Sequence, residues 1–284
     1  MDTLGLVMNY YWRPSYPRSV QISAALALHM AVESGVAAAI AVVDGSPDGD
    51  PYMASLCRQL DVLYIRGEGE LSFAAGYNLG WRTLSNDYIA LMASDIFVSA
   101  SVLESLLLLV SRPEVGCVSP YLSLSDWPSQ TAQYVHAPIT CEPTAMTLNL
   151  CMLKRSVIEA VGGIDEGFSG AYNDVILLMK IRNLGHKVLF AGDTFVTHLG
   201  RVTTRHGSTY DQPQDVKRFR ETYPQYWIDD GRWHLKNWRK PFSTRWRTSA
   251  LWWLGHIVPG QYPKRSVRRF AARFEPQLNR YSID

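Results

Sequence analysis

Apolar and polar positions along the chain follow two periods. Short apolar runs bounded by turn residues predict strands at Leu4–Met8, Ala37–Val43, Val62–Ile65, Tyr88–Met92 and Val115–Pro120. Between them lie helical stretches, from Arg18 to Ser34 with Gly35 as the stop, Pro51 to Leu60, Gly76 to Leu84, and Ser101 to Val110. Strand and helix in alternation predict an α/β fold, a mostly parallel sheet wrapped by helices. From Tyr121 to Pro143 the pattern dissolves into Ser, Pro, Thr and aromatic residues, the mark of a long loop or edge hairpin over a cleft. It resumes with a strand at Ala145–Leu153 and a short helix capped by Ser156 and ending at Gly162-Gly163. A helix from Val175 to Leu184 and two short strands, Lys187–Ala191 and Thr194–Thr197, complete the pattern.

The ends of these elements carry the polar chemistry. Asp44, Asp95 and His198 fall at strand ends and Asp174 at a helix start. In a doubly wound sheet such points face one crevice. Three carboxylates, an imidazole and a glycine-lined approach suit a site that binds a phosphorylated nucleotide through a metal and removes a proton from an incoming group. Each residue also has a plain structural role open to it. Asp44 can hold its Asp-Gly-Ser-Pro turn, Asp174 can cap its helix, His198 can bond to backbone, and Asp165 and Glu166 can shape a turn. Asn78 and Arg82 fit a solvent-facing helix as well as a donor site.

Composition narrows the class. The 284 residues are 47% apolar with a formal net charge of +2, which describes a globular chain of one large domain with an appendage. Cys57, Cys117, Cys141 and Cys151 have no metal-ligand spacing, so a reduced, cytoplasmic setting is expected. No basic and apolar leader opens the chain, and the longest apolar runs fall short of the roughly 20 residues a membrane span needs. The charge is uneven, because residues 231–284 are strongly basic and interleaved with Trp233, Trp238, Trp246, Trp252 and Trp253. That stretch suits a helical cap on the core whose basic face meets an anionic membrane peripherally. A polyanion such as nucleic acid is the second candidate partner.

Five motifs in order carry a family resemblance. Val42-Val43-Asp44-Gly45-Ser46-Pro47-Asp48-Gly49 resembles the "VVDNGSxDG" turn of family 2 glycosyltransferases, and Phe73 to Gly80 resembles their "FaxaxNxG" segment. Asp87–Val98 is similar to the strand that carries their metal acid. Val161 to Phe168, Tyr172-Asn173-Asp174 and Gly185 to Val188 resemble "vGgFDExFf-yyEDxDl-Rl-xxGy-v", and Thr197-His198-Leu199-Gly200 matches the histidine that follows. The order holds from Leu4 to Gly200 and is nearest to a branch rich in rhamnosyltransferases.

The resemblance implies a GT-A fold over residues 1–205, a nucleotide-sugar half to about 98 and an acceptor half after it, with 206–284 as a C-terminal extension. It implies an inverting transfer from a nucleotide-diphosphate sugar to a hydroxyl of a glycan or lipid-linked acceptor in surface polysaccharide synthesis. Asp44 would meet the nucleobase, with Asn9 and Tyr10 flanking it and Asn78 and Ser94 lining the donor site. Asp95 and His198 would hold Mg²⁺ or Mn²⁺, Asp174 would be the general base, and Asp165, Glu166 and Asn173 would meet the acceptor. Four positions depart from the pattern. Ala93 replaces the first acid of Asp-x-Asp, Asn173 the Glu before the base, Ile176 a later acid and Lys180 an Arg. A nucleotide- or nucleic-acid-binding module without transfer, or a transferase acting on modified DNA bases, are the other functions this pattern allows.

Overall fold

The computed structural model describes residues 3–125, 130–131, 140–143, 146–200, 202–206 and 212–224. Most of the loop expected between 121 and 143, and the basic Trp-bearing stretch at 231–284, lie outside them. Eight strands, β1 (Leu4–Tyr10), β2 (Ala39–Asp44), β3 (Leu63–Arg66), β4 (Tyr88–Ala93), β5 (Ile96–Phe97), β6 (Val115–Leu122), β7 (Leu150–Lys154) and β8 (Lys187–His198), form one sheet in the order β3-β2-β1-β4-β7-β6-β8-β5. Strands β3, β2, β1 and β4 run parallel, as do β6 and β8, while β7 and β5 run against their neighbours. The expected mostly parallel sheet is present.

Both faces of the sheet are covered, which is why its strands read as unbroken apolar runs. In β1 the side chains of Leu4, Leu6, Met8 and Tyr10 join Ala90 and Met92 of β4 on one face, under α1 (Arg18–Glu33), α2 (Pro51–Gln59) and α4 (Ala100–Val110). Val7, Ile89 and Leu91 point the other way, under α3 (Phe73–Thr83), α5 (Arg155–Ala160) and α6 (Asn173–Asn183). A third cluster joins Phe168, Tyr172, Val175, Ile176 and Met179 to Phe219 of α7 (Gln212–Thr222). Thus α7, which follows the sequence boundary at 205, packs against α6.

The strand expected from Ala145 begins only at Leu150, and three other expected boundaries move for a visible reason. Helix α3 begins at Phe73 because the Ser72 hydroxyl accepts from the Ala75 amide at 3.2 Å, so the glycine-bearing approach is already helix. The cap proposed for Ser156 is not there. Chain passes from β7 straight into α5 with Lys154 at the cap position, and the Arg155 guanidinium anchors the junction on the carbonyls of Asn86, Leu84 and Trp81. Finally, the two short strands after Lys187 are one long strand, β8, whose pairing with β6 shifts register between Pro120 and Tyr121. The irregularity that interrupts the apolar pattern is absorbed as a bulge rather than a break. Among the described residues no helix is long and apolar enough to cross a membrane.

Candidate active site

Parallel register sets the site. Tyr10 pairs with Asp44 and Asn9 with Ala93, so the carboxyl ends of β2, β1 and β4 lie side by side. Helix α6 ends at Asn183, four residues before the amino end of β8, and therefore starts at that same carboxyl edge. Asp44, Asp95, His198 and Asp174 share one edge of the sheet.

Asp44 is fully buried and its carboxylate is in full use. One oxygen accepts from the Ser46 amide at 2.9 Å and from the Ser46 hydroxyl; the other accepts from the Asp50 amide at 2.7 Å and the Tyr64 hydroxyl at 2.5 Å. A carboxylate has about four acceptor sites. A direct bond to a nucleobase would require one of these donors to leave, so Asp44 holds the turn at the carboxyl end of β2. Beside it, Asp50 caps α2 through the Tyr52 amide and accepts from the Tyr10 hydroxyl at 2.5 Å and from Gln21 at 2.9 Å. The Tyr10 ring is fully buried, and burial together with Asp50 pushes its phenol well above the ordinary range. It is a core residue at the carboxyl end of β1, and the residues after it, Tyr11 to Arg13, reach outward. Arg13 pairs with Glu70 at 2.8 Å, and Glu70 also accepts from the Tyr11 hydroxyl at 2.5 Å.

Asp95 and His198 are brought into contact. The pairing of Ile96 with His198 sets the imidazole Nε2 3.4 Å from Asp95 Oδ1. His198 Nδ1 lies 2.5 Å from the Leu124 carbonyl, which can only accept, so Nδ1 carries the proton and Nε2 faces the acid. A backbone carbonyl that fixes the tautomer in this way is the usual support of a metal-binding histidine. Adjacent ligands of an octahedral ion stand about 3 Å apart, so the pair fits a shared divalent cation. Among the described residues no group of three His, Cys, Asp or Glu side chains could hold one. Asp95 and His198 are the two residues here that could hold such an ion, and Ser94 is buried beside them.

Asn9 and Asn78 work inside the scaffold. Asn9 donates to the Phe73 carbonyl at 3.1 Å and lies where a side chain on Gly76 would be. Asn78, buried on α3, donates to the Ile164 carbonyl at 2.8 Å and to Glu166 at 2.7 Å, and accepts from the Ile164 amide and the Trp81 indole. All four of its bonding positions are taken, so it clamps the 163–166 loop rather than lining a donor site. Gly163 is required there, since its φ is +81° and a Cβ would stand 2.6 Å from the Asn78 oxygen. Glu166 is drawn toward α3 by Asn78 and by Arg82 at 3.5 Å, and Asp165 accepts from the Gly167 amide within the turn.

At the start of α6 the cap position is Tyr172, with a left-handed φ of +64°; Asn173 and Asp174 are the first helical residues. Asp174 is therefore not the cap. It is half-buried, accepts from the Val175 amide at 2.8 Å, and its charge suits the positive end of the helix. Asn173 is 1% exposed, and neither atom of its side-chain amide has a partner. From α7, Asp215 accepts from Ser169, Gly170 and Ala171, a contact that sequence reasoning missed because the residues are 44 to 46 positions apart. Asp50 was missed too, although an acid just before a proline at a helix start is a readable cap signal.

Residues 32–154 match the family model described as Glycosyl transferase family 2. The Sinorhizobium fredii protein named uncharacterized protein y4gI is 26% identical over 184 residues, covering 56% of this chain and 20% of its own length. The chain thus spans about a fifth of the curated relative it matches. In fold it is similar to a mannosyltransferase of Pyrobaculum calidifontis solved with GDP-Man and Mn²⁺, with a TM-score of 0.56 and 12% identity over 98% of this chain and 73% of that one. GalNAc-T7 solved with UDP, GalNAc and Mn²⁺ aligns with a TM-score of 0.60 and 15% identity, over 98% of this chain and 54% of that one. S. aureus TarS residues 1–349 align with a TM-score of 0.54 and 10% identity, over 99% and 89%. These likenesses establish the GT-A fold. Residues 32–154 thus match glycosyltransferase family 2, within a chain whose fold is similar to that of GT-A glycosyltransferases.

Proposed function

We propose that this chain transfers a sugar from a nucleotide-diphosphate donor to a hydroxyl of a glycan or lipid-linked acceptor, with inversion at the anomeric carbon. The observation that carries the proposal is the Asp95–His198 pair, 3.4 Å apart at the carboxyl edge with the imidazole tautomer set by Leu124. Asp95 and His198 would hold Mg²⁺ or Mn²⁺. A divalent ion supplies Lewis-acid neutralisation of the departing diphosphate. The loss of the first acid at Ala93 is offset by this histidine. Two other features support the donor end, the turn that Asp44 braces and the Tyr11–Arg13 loop tied to Glu70.

Asp174 is the general base, taking the proton from the acceptor hydroxyl as it attacks. Asn173, buried beside it with an unpartnered amide, is the group we assign to acceptor contact. Nucleotide release from a panel of UDP-, GDP- and dTDP-sugars, with Mn²⁺ and with EDTA, tests the activity directly. Asp174→Asn is expected to lower kcat by about 10²–10⁴ while sparing donor binding. Full turnover in that variant, or release indifferent to EDTA, refutes the corresponding assignment.

A further inference from the structure

We propose that Asp215 is a positioning residue for Asp174, acting as the built-in occupant of an anion nest. The inference rests on the assignment of Asp174 as base. Three consecutive amides and a hydroxyl converge on this one carboxylate. Oδ1 accepts from the Ser169 amide at 2.9 Å, and Oδ2 from the Ser169 hydroxyl at 2.9 Å, the Gly170 amide at 3.1 Å and the Ala171 amide at 2.9 Å. Successive amides turned toward one point form the concavity that receives phosphate or carboxylate ligands in other proteins. Here the ligand is a side chain of the same molecule, 3% exposed. Bonds to a charged acceptor are roughly twice as strong as neutral ones.

The same helix also grips the far end of the loop. Four residues after Asp215, on the same face of α7, Phe219 stacks on Tyr172 with ring centroids 4.4 Å apart and planes 16° from parallel. Tyr172 keeps its left-handed backbone under that ring. Residues 169–172 are thus held at one end by charge and at the other by an aromatic stack, and Asp174 follows two residues later. Nothing in Asn173, buried as it is, can absorb a shift. The donor end, by contrast, stands on β2, β4, β5 and β8 and makes none of these bonds. Removing the Asp215 carboxylate displaces the base and leaves the donor site as it was.

The test uses the whole chain and whichever of UDP-glucose, GDP-mannose or dTDP-rhamnose the wild type turns over. In Asp215→Ala, kcat is expected to fall about tenfold or more, because misplacement of a reacting group by about 1 Å costs on that order. Donor KM stays near the wild-type value, and an excess of sodium formate restores turnover where equal sodium chloride does not. Hydrogen exchange at the Ser169–Ala171 amides quickens in the variant and slows again with formate. Asp215→Asn, which keeps the side-chain volume and loses the charge, gives an intermediate kcat and serves if the alanine variant does not fold. A donor KM that rises in step with the loss of kcat, or recovery no better with formate than with chloride, overturns the proposal. Unchanged exchange at 169–171 sinks the clamp alone, whereas full turnover in Asp174→Asn sinks the base assignment alone.

Discussion

Burying Asn173 with neither amide atom bonded costs about 1–3 kcal/mol for each orphaned group. Replacement by an apolar side chain of similar volume removes that cost. Asn173→Leu is therefore expected to stabilise the fold by about 1 kcal/mol, a rise of about 2–4 °C in Tm on a thermal scan. It is also expected to raise the acceptor KM. A fall in Tm of the same size would show that the amide has a partner in solution. Asp44 teaches the opposite lesson, since its four acceptor sites are filled from Ser46, Asp50 and Tyr64. The motif residue that suggests a nucleobase contact is, in place, the brace of its own turn. Composition at a position shows which bonds a side chain can make, and only its neighbours decide which it does make.

Helix α3 lies so close to the sheet that a Cβ at Gly80 would stand 2.2 Å from Val7 Cγ1 and 2.9 Å from Val43 Cγ2. Both valines are fully buried on the sheet and have nowhere to go. Gly80→Ala is expected to destabilise by about 1–3 kcal/mol through overpacking, despite the better helix propensity of alanine. Urea unfolding measures it, and a midpoint at or above the wild-type value would mean that α3 stands off the sheet. The element pattern itself was largely legible, because a strand covered on both faces must be apolar throughout and each helix shows its stops. What failed at this scale was local chemistry at the joints. The serine cap moved α3 earlier, the arginine anchor of α5 replaced the expected cap at Ser156, and a bulge joined two short runs into β8.

Across the whole molecule, burial shifts several acids in one direction. Cys57 is pushed up to about 12 by burial and by the nearby Asp44, and Tyr10, Tyr64 and Tyr77 are raised by burial as well. A group whose folded pKa lies above its unfolded value keeps its proton longer in the native state, so stability falls as pH rises. For Cys57 that window runs from the ordinary 9.0 to about 12. Denaturant midpoints are expected to be lower at pH 10.5 than at pH 8, with slopes little changed; equal midpoints would place these groups in water.

Periodicity and turn residues specify most of the strands and helices, and five ordered motifs single out Asp44, Asp95, Asp174 and His198, because each of these signals is written in neighbouring residues. The resemblance pairs Asp95 with His198, but tertiary structure alone decided the contact and ring orientation in which they meet across about a hundred residues, that Asn78 locks the Gly163 loop, and that Asp215 fills the nest before Asp174. Those contacts depend on strand register and on how α7 lies against α6, and neither quantity is encoded in any local stretch of chain.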